Sequence, residues 1–217
     1  EPYYHTWKNY ALVRNEATLR YLPTGIQGCA AKVDRDEVRK NYGIPSGAFV
    51  MSYAGRHNSV KGYDSLKDAV LPMLDRNANM WMIVAGKEGP LPSPSHERWI
   101  EVGWTSDPHS LIAASDVFIL PNRETFFDLI MLEVLSLGVP IVATDTGGNR
   151  YFRKFENVGI KLYSDSDGLA ASVSAIREMS PSERQILRES NKALFALEFG
   201  CVQFAKRYSA LIGGLCG

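Results

Sequence analysis

The chain is short of cysteine, of long apolar runs and of net charge, and each shortage removes a class of protein. Cys29, Cys201 and Cys216 are odd in number and show no Cys-x-x-Cys spacing, so neither a disulfide framework nor a zinc site is indicated. They read as reduced thiols, with Cys201 expected in the core. No apolar run approaches the roughly 20 residues of a membrane-crossing helix, and the N-terminus lacks the basic-then-apolar pattern of a signal segment. A cytoplasmic address is therefore favoured. Lysine and arginine together number 24, as do aspartate and glutamate. Nucleic-acid binding needs a clustered cationic excess, so this balance argues against it. Internal repeats and low-complexity tracts are also missing. The first residue is Glu1, not Met, which suggests a piece of a longer protein.

What is present is an apolar chain long enough for a substantial core, 217 residues of which 45% are hydrophobic. Short apolar runs bounded by Gly, Pro, Asn or Asp predict strands over Phe49–Tyr53, Trp81–Ala85, Trp99–Val102, Val117–Leu120, Pro140–Thr144 and Gly159–Tyr163. All six read as buried on both faces, with Tyr53, Trp81 and Trp99 in the core. Segments with apolar spacing near three and four predict helices over Tyr63–Leu74, Pro108–Ala114, Leu129–Leu137 and Leu169–Met179. Asp34 with Glu37 and Ser180 with Glu183 have capping-box spacing, Pro181 suits a first helical position, and Gly43 can end the helix begun near Asp34. The order predicts an α/β fold: a Rossmann-like parallel sheet with helices on both faces and a helical C-terminus. Leu194, Phe195, Phe199, Phe204 and Tyr208 of the terminal helices are expected to pack on the sheet. Pro90, Pro92 and Pro94 make a stiff loop. Residues 1–19 form a separate N-terminal segment, a linker or the remnant of a neighbour, ahead of the domain at 20–217.

Ligands of such sheets bind outside the carboxyl ends of the strands, so the loops there carry the function. The loop after the first strand runs Gly55, Arg56, His57, Asn58, Ser59, Val60, Lys61, Gly62. Its glycines permit close backbone approach and its two cations suit a diphosphate; a surface turn with solvated charges explains it equally well. His57 could touch that diphosphate or be a turn histidine in water. After the fourth strand, a helix opening at Leu129 would present the backbone N–H groups of Leu129 and Ile130 to an anion, unless Asp128 caps it. Glu133 stands one turn in, among Leu129, Ile130, Met131, Leu132, Val134, Leu135 and Leu137. A carboxylate in that company needs partners, which a pair of ribose hydroxyls would supply; a solvated stripe is the alternative. Thr146, Gly147 and Gly148 after the fifth strand are permissive near a phosphate or sugar, or form a tight turn. His5, His96 and His109 lack ligand spacing and read as surface groups.

Taken together, Gly55-Arg56 with Lys61-Gly62, then the run Ala114 to Gly148, resemble the C-terminal, nucleotide-sugar-binding half of the retaining GT-B glycosyltransferases called family 4. The family pattern is Glu-x-Phe-Gly-Leu, then Glu-Ala-x-Ala-x-Gly-x-Pro-Val-Val-Ala-Thr and a Gly-Gly turn. Leu132, Glu133, Gly138, Pro140, Val142, Ala143, Thr144, Gly147 and Gly148 match it. Tyr21–Gln27 is similar to the Pro-Asn-Gly-Ile-Asp that opens the domain, departing at Thr24 and Gln27. The resemblance covers residues 20–210 or so.

It implies transfer of a sugar from a nucleoside diphosphate donor, UDP favoured over GDP, with retention and without metal or other cofactor. Arg56 and Lys61 would bind the diphosphate and stabilise charge on it as it leaves, with Gly55 beside them. Glu133 would hold the ribose, and the backbone from Val102 to Trp104 would meet the base. An acidic residue at the front of the helix would hold the sugar. The family separates its two glutamates by seven residues, whereas eight lie between Glu124 and Glu133. Gapless alignment puts Thr125 in the first glutamate's place and Asp128 in that of the glycine. A one-residue bulge would restore Glu124 to the sugar, with Asp128 close by. A glycan or lipid-linked acceptor would be met through a missing N-terminal domain, at the inner face of a membrane with peripheral association. A catalytically silent subunit scaffolding a partner transferase is the competing reading. An epimerase or phosphorylase on a similar fold is another, and no matching cofactor motif supports it.

Overall fold

The computed structural model describes residues 22–214; the segment 1–19 and Cys216 lie outside them. The strands are β1 (Phe49–Ala54), β2 (Met80–Ala85), β3 (Trp99–Gly103), β4 (Val117–Leu120), β5 (Ile141–Thr144) and β6 (Ile160–Tyr163). They form one parallel sheet in the order β3-β2-β1-β4-β5-β6. The helices are α1 (Arg35–Asn41), α2 (Tyr63–Arg76), α3 (Pro108–Ala113), α4 (Leu129–Leu137), α5 (Ser166–Glu178), α6 (Pro181–Leu194) and α7 (Cys201–Gly213). This is a Rossmann-like half of a GT-B fold with a helical C-terminus, as the sequence predicts.

The central strands β1, β2, β4 and β5 are buried almost throughout, which is why they read as unbroken apolar runs. The expectation of burial on both faces fails for the two edges. In β3 only Trp99 is fully buried, and in β6 only Tyr163; each edge strand has a neighbour on one side alone. Trp81 is likewise half-buried, unlike Tyr53 and Trp99. Helices α2 and α5 pack together over one face of the sheet, whereas α1, α3 and α4 follow one another along the other, with α6 laid on α4.

Local chemistry sets the helix ends. Asp107, Asp165 and Ser180 accept backbone N–H groups at the starts of α3, α5 and α6, and Ser180 with Glu183 completes a reciprocal capping box. Asp34 caps α1 by accepting from Asp36 N. A π turn over Phe195–Phe199 joins α6 to α7. Phe199 is buried there against Phe127, Tyr151, Phe152 and Phe155. Beyond it α7 buries no residue; Phe204 and Tyr208 stack on one another instead of on the sheet. Cys201, expected in the core, is exposed.

At the opposite end from the carboxyl rim, Asp116 is a buried hub that sequence reading passed over. It accepts from Val50 N at 2.8 Å and pairs with Arg35 at 2.7 Å and Arg39 at 2.9 Å. Burial works against its charge, but Arg35, the Val50 N–H and Arg39 hold the carboxyl below the usual carboxylate range. The i, i+4 spacing of Arg35 and Arg39, which puts two guanidinium groups on one helix face, is the signal that could have found it.

Candidate functional site

Strand order reverses between β1 and β4: the chain runs outward from β1 to β2 and β3, then resumes at β4 on β1's other side. A crevice opens at such a point, and here the β1–α2 and β4–α4 loops face each other across it. Arg123 N donates to Val60 O at 3.0 Å, and the Arg123 guanidinium pairs with Asp64 at 2.7 Å. Lys61 Nζ reaches Asp128 Oδ1 at 3.2 Å. Arg56, from the same loop as Lys61, is exposed at the rim.

Asp128 is the focus of this crevice. Its side chain makes no cap on α4. The carboxylate turns back and accepts from Lys61, from the Thr125 hydroxyl at 2.5 Å, and from the Asn122 amide. The first turn of α4 thus begins at Leu129 and Ile130 without a side-chain acceptor for its N–H groups, an arrangement that favours an anion. Asn122 is fully buried and its Oδ1 has no partner.

Glu133 lies half-buried on the side of α4 that meets α3. Helix α4 is apolar on nearly every side, because Met131, Leu132, Val134, Leu135 and Leu137 are all buried. The partner the carboxylate needs is His109, whose Nε2 lies 3.1 Å from Glu133 Oε2. His109 is therefore not a solitary surface group, and neither is His96, which stands 3.4 Å from Asp75. Cys29 joins the same group from the loop ahead of α1. Burial pushes its thiol up, the Ser136 hydroxyl pulls the other way, and the Glu133 carboxylate adds to the rise.

The remaining residues are placed as follows. Trp104 is 77% exposed on the loop after β3, at the same rim. Glu124 is exposed in the β4–α4 loop, while Phe127 of that loop anchors in the aromatic cluster around Phe199. His57 departs from both expectations: it faces neither ligand nor water. The proline-rich loop between β2 and β3 folds over it, with His57 N donating to Lys87 O and Leu91 N donating to His57 O. Its ring is wholly buried, stacked on Tyr63 at 3.9 Å between centroids. Burial lowers the pKa of the imidazole, with Glu101 and Glu88 offsetting part of the effect.

The glycines of these loops serve packing. A Cβ on Gly147 or Gly148 would collide with the backbone carbonyl of Thr125 or Phe126, and one on Gly62 with that of Pro121. Gly55 is similarly pressed, since a Cβ there would stand 2.7 Å from the Tyr53 hydroxyl. Beside the crevice, over the ends of β4, β5 and β6, lies a polar cleft of about 570 Å³ lined by Asn122, Arg123, Asp145, Arg150 and Tyr163 among others.

A parallel sheet with cations, an open helix start and a partly buried carboxylate gathered at its switch point defines an α/β protein of the doubly wound class. Comparison with known proteins narrows it: the model of the family described as "Glycosyl transferases group 1" matches residues 48–179, more than half of the chain. The chain belongs to that family. Among its relatives is the lipopolysaccharide core biosynthesis mannosyltransferase LpsB of Rhizobium meliloti, 26% identical over 190 residues, which cover 81% of this chain and 52% of that protein. The chain spans between 30% and 52% of the length of four curated relatives it matches. Anabaena Alr3699/HepE, solved in complex with UDP-glucose, superposes with a TM-score of 0.77 at 18% identity, over 94% of this chain and 60% of that one. The C-terminal domain of a group 1 family glycosyl transferase (LpcC) from Francisella tularensis gives 0.68 at 17% identity, over 82% of this chain and all of that domain. At these identities the structural likeness concerns the fold. Among the described residues, no helix is long and apolar enough to cross a membrane.

Proposed function

We propose that this chain is the donor-binding part of a retaining hexosyltransferase of the family 4 type, holding a nucleoside diphosphate sugar, UDP before GDP, in the crevice between β1 and β4. The observation that carries the reading is the meeting of Lys61 with the open start of α4 across the switch point. An ammonium and unpaired backbone N–H groups converging there are a diphosphate site by charge and by geometry. Arg56 adds a second, exposed cation from the same loop.

In this reading the diphosphate displaces the Asp128 carboxylate from Lys61, and Lys61 and Arg56 offset the negative charge that grows as the glycosidic bond breaks. Glu133 accepts the ribose hydroxyls, Trp104 and the backbone before it border the base, and Glu124 with Asp128 faces the sugar. No metal is assigned a part. A glycan or lipid-linked acceptor would be supplied through a second domain, at the inner face of a membrane. The occurrence of UDP-glucose in the complex of the Anabaena protein supports UDP as the first candidate.

One observation favours a catalytically silent scaffold instead: Lys61 is already paired with a carboxylate where the family pattern has glycine. Calorimetric titration with UDP, GDP and ADP separates the two. Binding of UDP, weakened by about 1–3 kcal/mol in Glu133→Ala through loss of charge-assisted hydrogen bonds, is the expected result. No binding of any of the three would leave the scaffold standing.

A further inference from the structure

Three side chains that stand far apart in sequence meet between α3 and α4. Cys29, His109 and Glu133 each bring one ligand atom into a group whose members all lie within 4.8 Å of one another. They arrive from three separate pieces of the fold: the loop ahead of α1, the first turn of α3 and the middle of α4. The meeting is built into the backbone. Cys29 N donates to Ser136 Oγ at 3.0 Å, and Ser136 Oγ donates to Glu133 O at 2.7 Å, so the loop bearing the thiol is pinned to the helix bearing the carboxylate. Asp107 caps α3 through Ser110 N, which fixes the turn that carries His109.

We propose that Cys29, His109 and Glu133 form a binding site for a divalent cation of the zinc class, and that an ion held there competes with the donor's ribose for Glu133. The second half rests on the reading of Glu133 as the ribose ligand; the first half does not.

The ligand set selects the ion. Thiolate, imidazole and carboxylate together suit zinc or a metal of similar softness, whereas magnesium and calcium prefer shells of oxygen. Around tetrahedral zinc, neighbouring ligand atoms stand roughly 3.3–3.6 Å apart, given metal–ligand bonds of about 2.0–2.3 Å. The His109–Glu133 separation of 3.1 Å is already close to that. The group spans no more than 4.8 Å, so the thiol has to close by roughly 1.5 Å at most, a movement within reach of rotation about its Cα–Cβ bond. All three residues are partly exposed, so an ion has a way in and the fourth position is open to water. On binding, Cys29 loses its thiol proton to solvent, His109 passes its Nε2 proton to solvent and takes one up at Nδ1, and the hydrogen bond between His109 and Glu133 is replaced by one bond from each to the metal. Glu133 then has its lone pairs engaged and its charge offset, which leaves it a poor acceptor for hydroxyls.

The test is titration of the reduced protein with Co²⁺, following the cobalt–thiolate charge-transfer absorption. One equivalent should raise the band, Cys201→Ser should keep it, and Cys29→Ser should abolish it. His109→Ala should weaken binding by roughly tenfold or more. No band with the parent protein, or a band that survives in folded Cys29→Ser, overturns the site. Titration with UDP, with and without one equivalent of Zn²⁺, tests the competition. UDP affinity should fall with zinc in the parent protein and stay constant in Cys29→Ser, a control that also removes complexation of zinc by UDP itself. Equal affinity in both conditions overturns the competition. Failure of the metal-free protein to bind UDP would sink the nucleotide reading alone, because the cobalt band decides the metal site without it.

Discussion

Lys61 and Asp128 hold each other at 3.2 Å across the point where the sheet reverses its strand order, 67 residues apart in the chain. Each comes from a loop that leads into a helix, and the pair closes the crevice that the fold opens. A diphosphate bound as proposed would compete with this carboxylate for the same ammonium.

Removing the carboxylate should therefore help the nucleotide. Asp128→Asn is expected to tighten UDP binding by about 1 kcal/mol, roughly fivefold, the size of a partly exposed ion pair. Calorimetry of the two proteins at one ionic strength measures it. Weaker UDP binding in the variant would show that Asp128 assists the nucleotide and does not compete with it.

His57 gives the domain an acid-sensitive spot. Its folded pKa lies below its unfolded value because the buried ring resists protonation. The stability it allows is full above about pH 6.5 and is lost as pH falls through that value towards the folded pKa, at about 1.4 kcal/mol per pH unit for one proton. His57→Phe keeps the stacking on Tyr63 and removes the proton. Urea unfolding at a series of pH values from 7 to 5 should show a flatter profile in the variant, and identical profiles would refute the assignment.

Asp116 should be the costliest single carboxylate to lose. Asp116→Ala leaves the guanidinium of Arg39 buried without its charge partner and the Val50 N–H without its acceptor, a loss of about 3–5 kcal/mol. The sign with pH follows from a lowered folded pKa: the contribution is present above about pH 4 and disappears as pH falls below it. Denaturant midpoints of the variant and the parent at pH 7 check the first statement, and a gap between them that narrows on acidification checks the second.

Gly148→Ala reverses a common expectation. Alanine for glycine usually stabilises by about 0.4–1 kcal/mol where the backbone allows it, and Gly148 has no left-handed backbone angle. Here the added methyl would meet the Phe126 carbonyl, so the variant should lose about 1–3 kcal/mol from forced displacement. A melting temperature equal to or above that of the parent would remove the packing role.

The strands and helices were legible because their ends are written locally. Asp, Ser and Pro mark the starts of α3 and α6, and uninterrupted apolar runs mark the central strands, whereas α5 begins at Ser166, a turn ahead of the expected Leu169, because its first residues are polar. Partners across the chain were not legible, since nothing within either segment says that His109 will face Glu133 or Lys61 Asp128. His57 shows the same gap: a loop with glycine, arginine and lysine reads as exposed, and only the later proline-rich segment, folding back, buries its histidine. Cys201 departs in the other direction, because the apolar residues around it lie on α7, which buries no residue. Gly62, Gly147 and Gly148 read as places where a ligand could come close to the backbone, and the body that does come close is the carbonyl of an adjoining loop.

That crowding has an evolutionary price. With the carbonyls of Thr125 and Phe126 resting on bare α-carbons at Gly147 and Gly148, the two segments behave as one plate, and a residue inserted in either must be answered in the other. Descendants of this domain are steered towards exchanging side chains at fixed loop length, and any that do lengthen one segment should carry a matching change opposite.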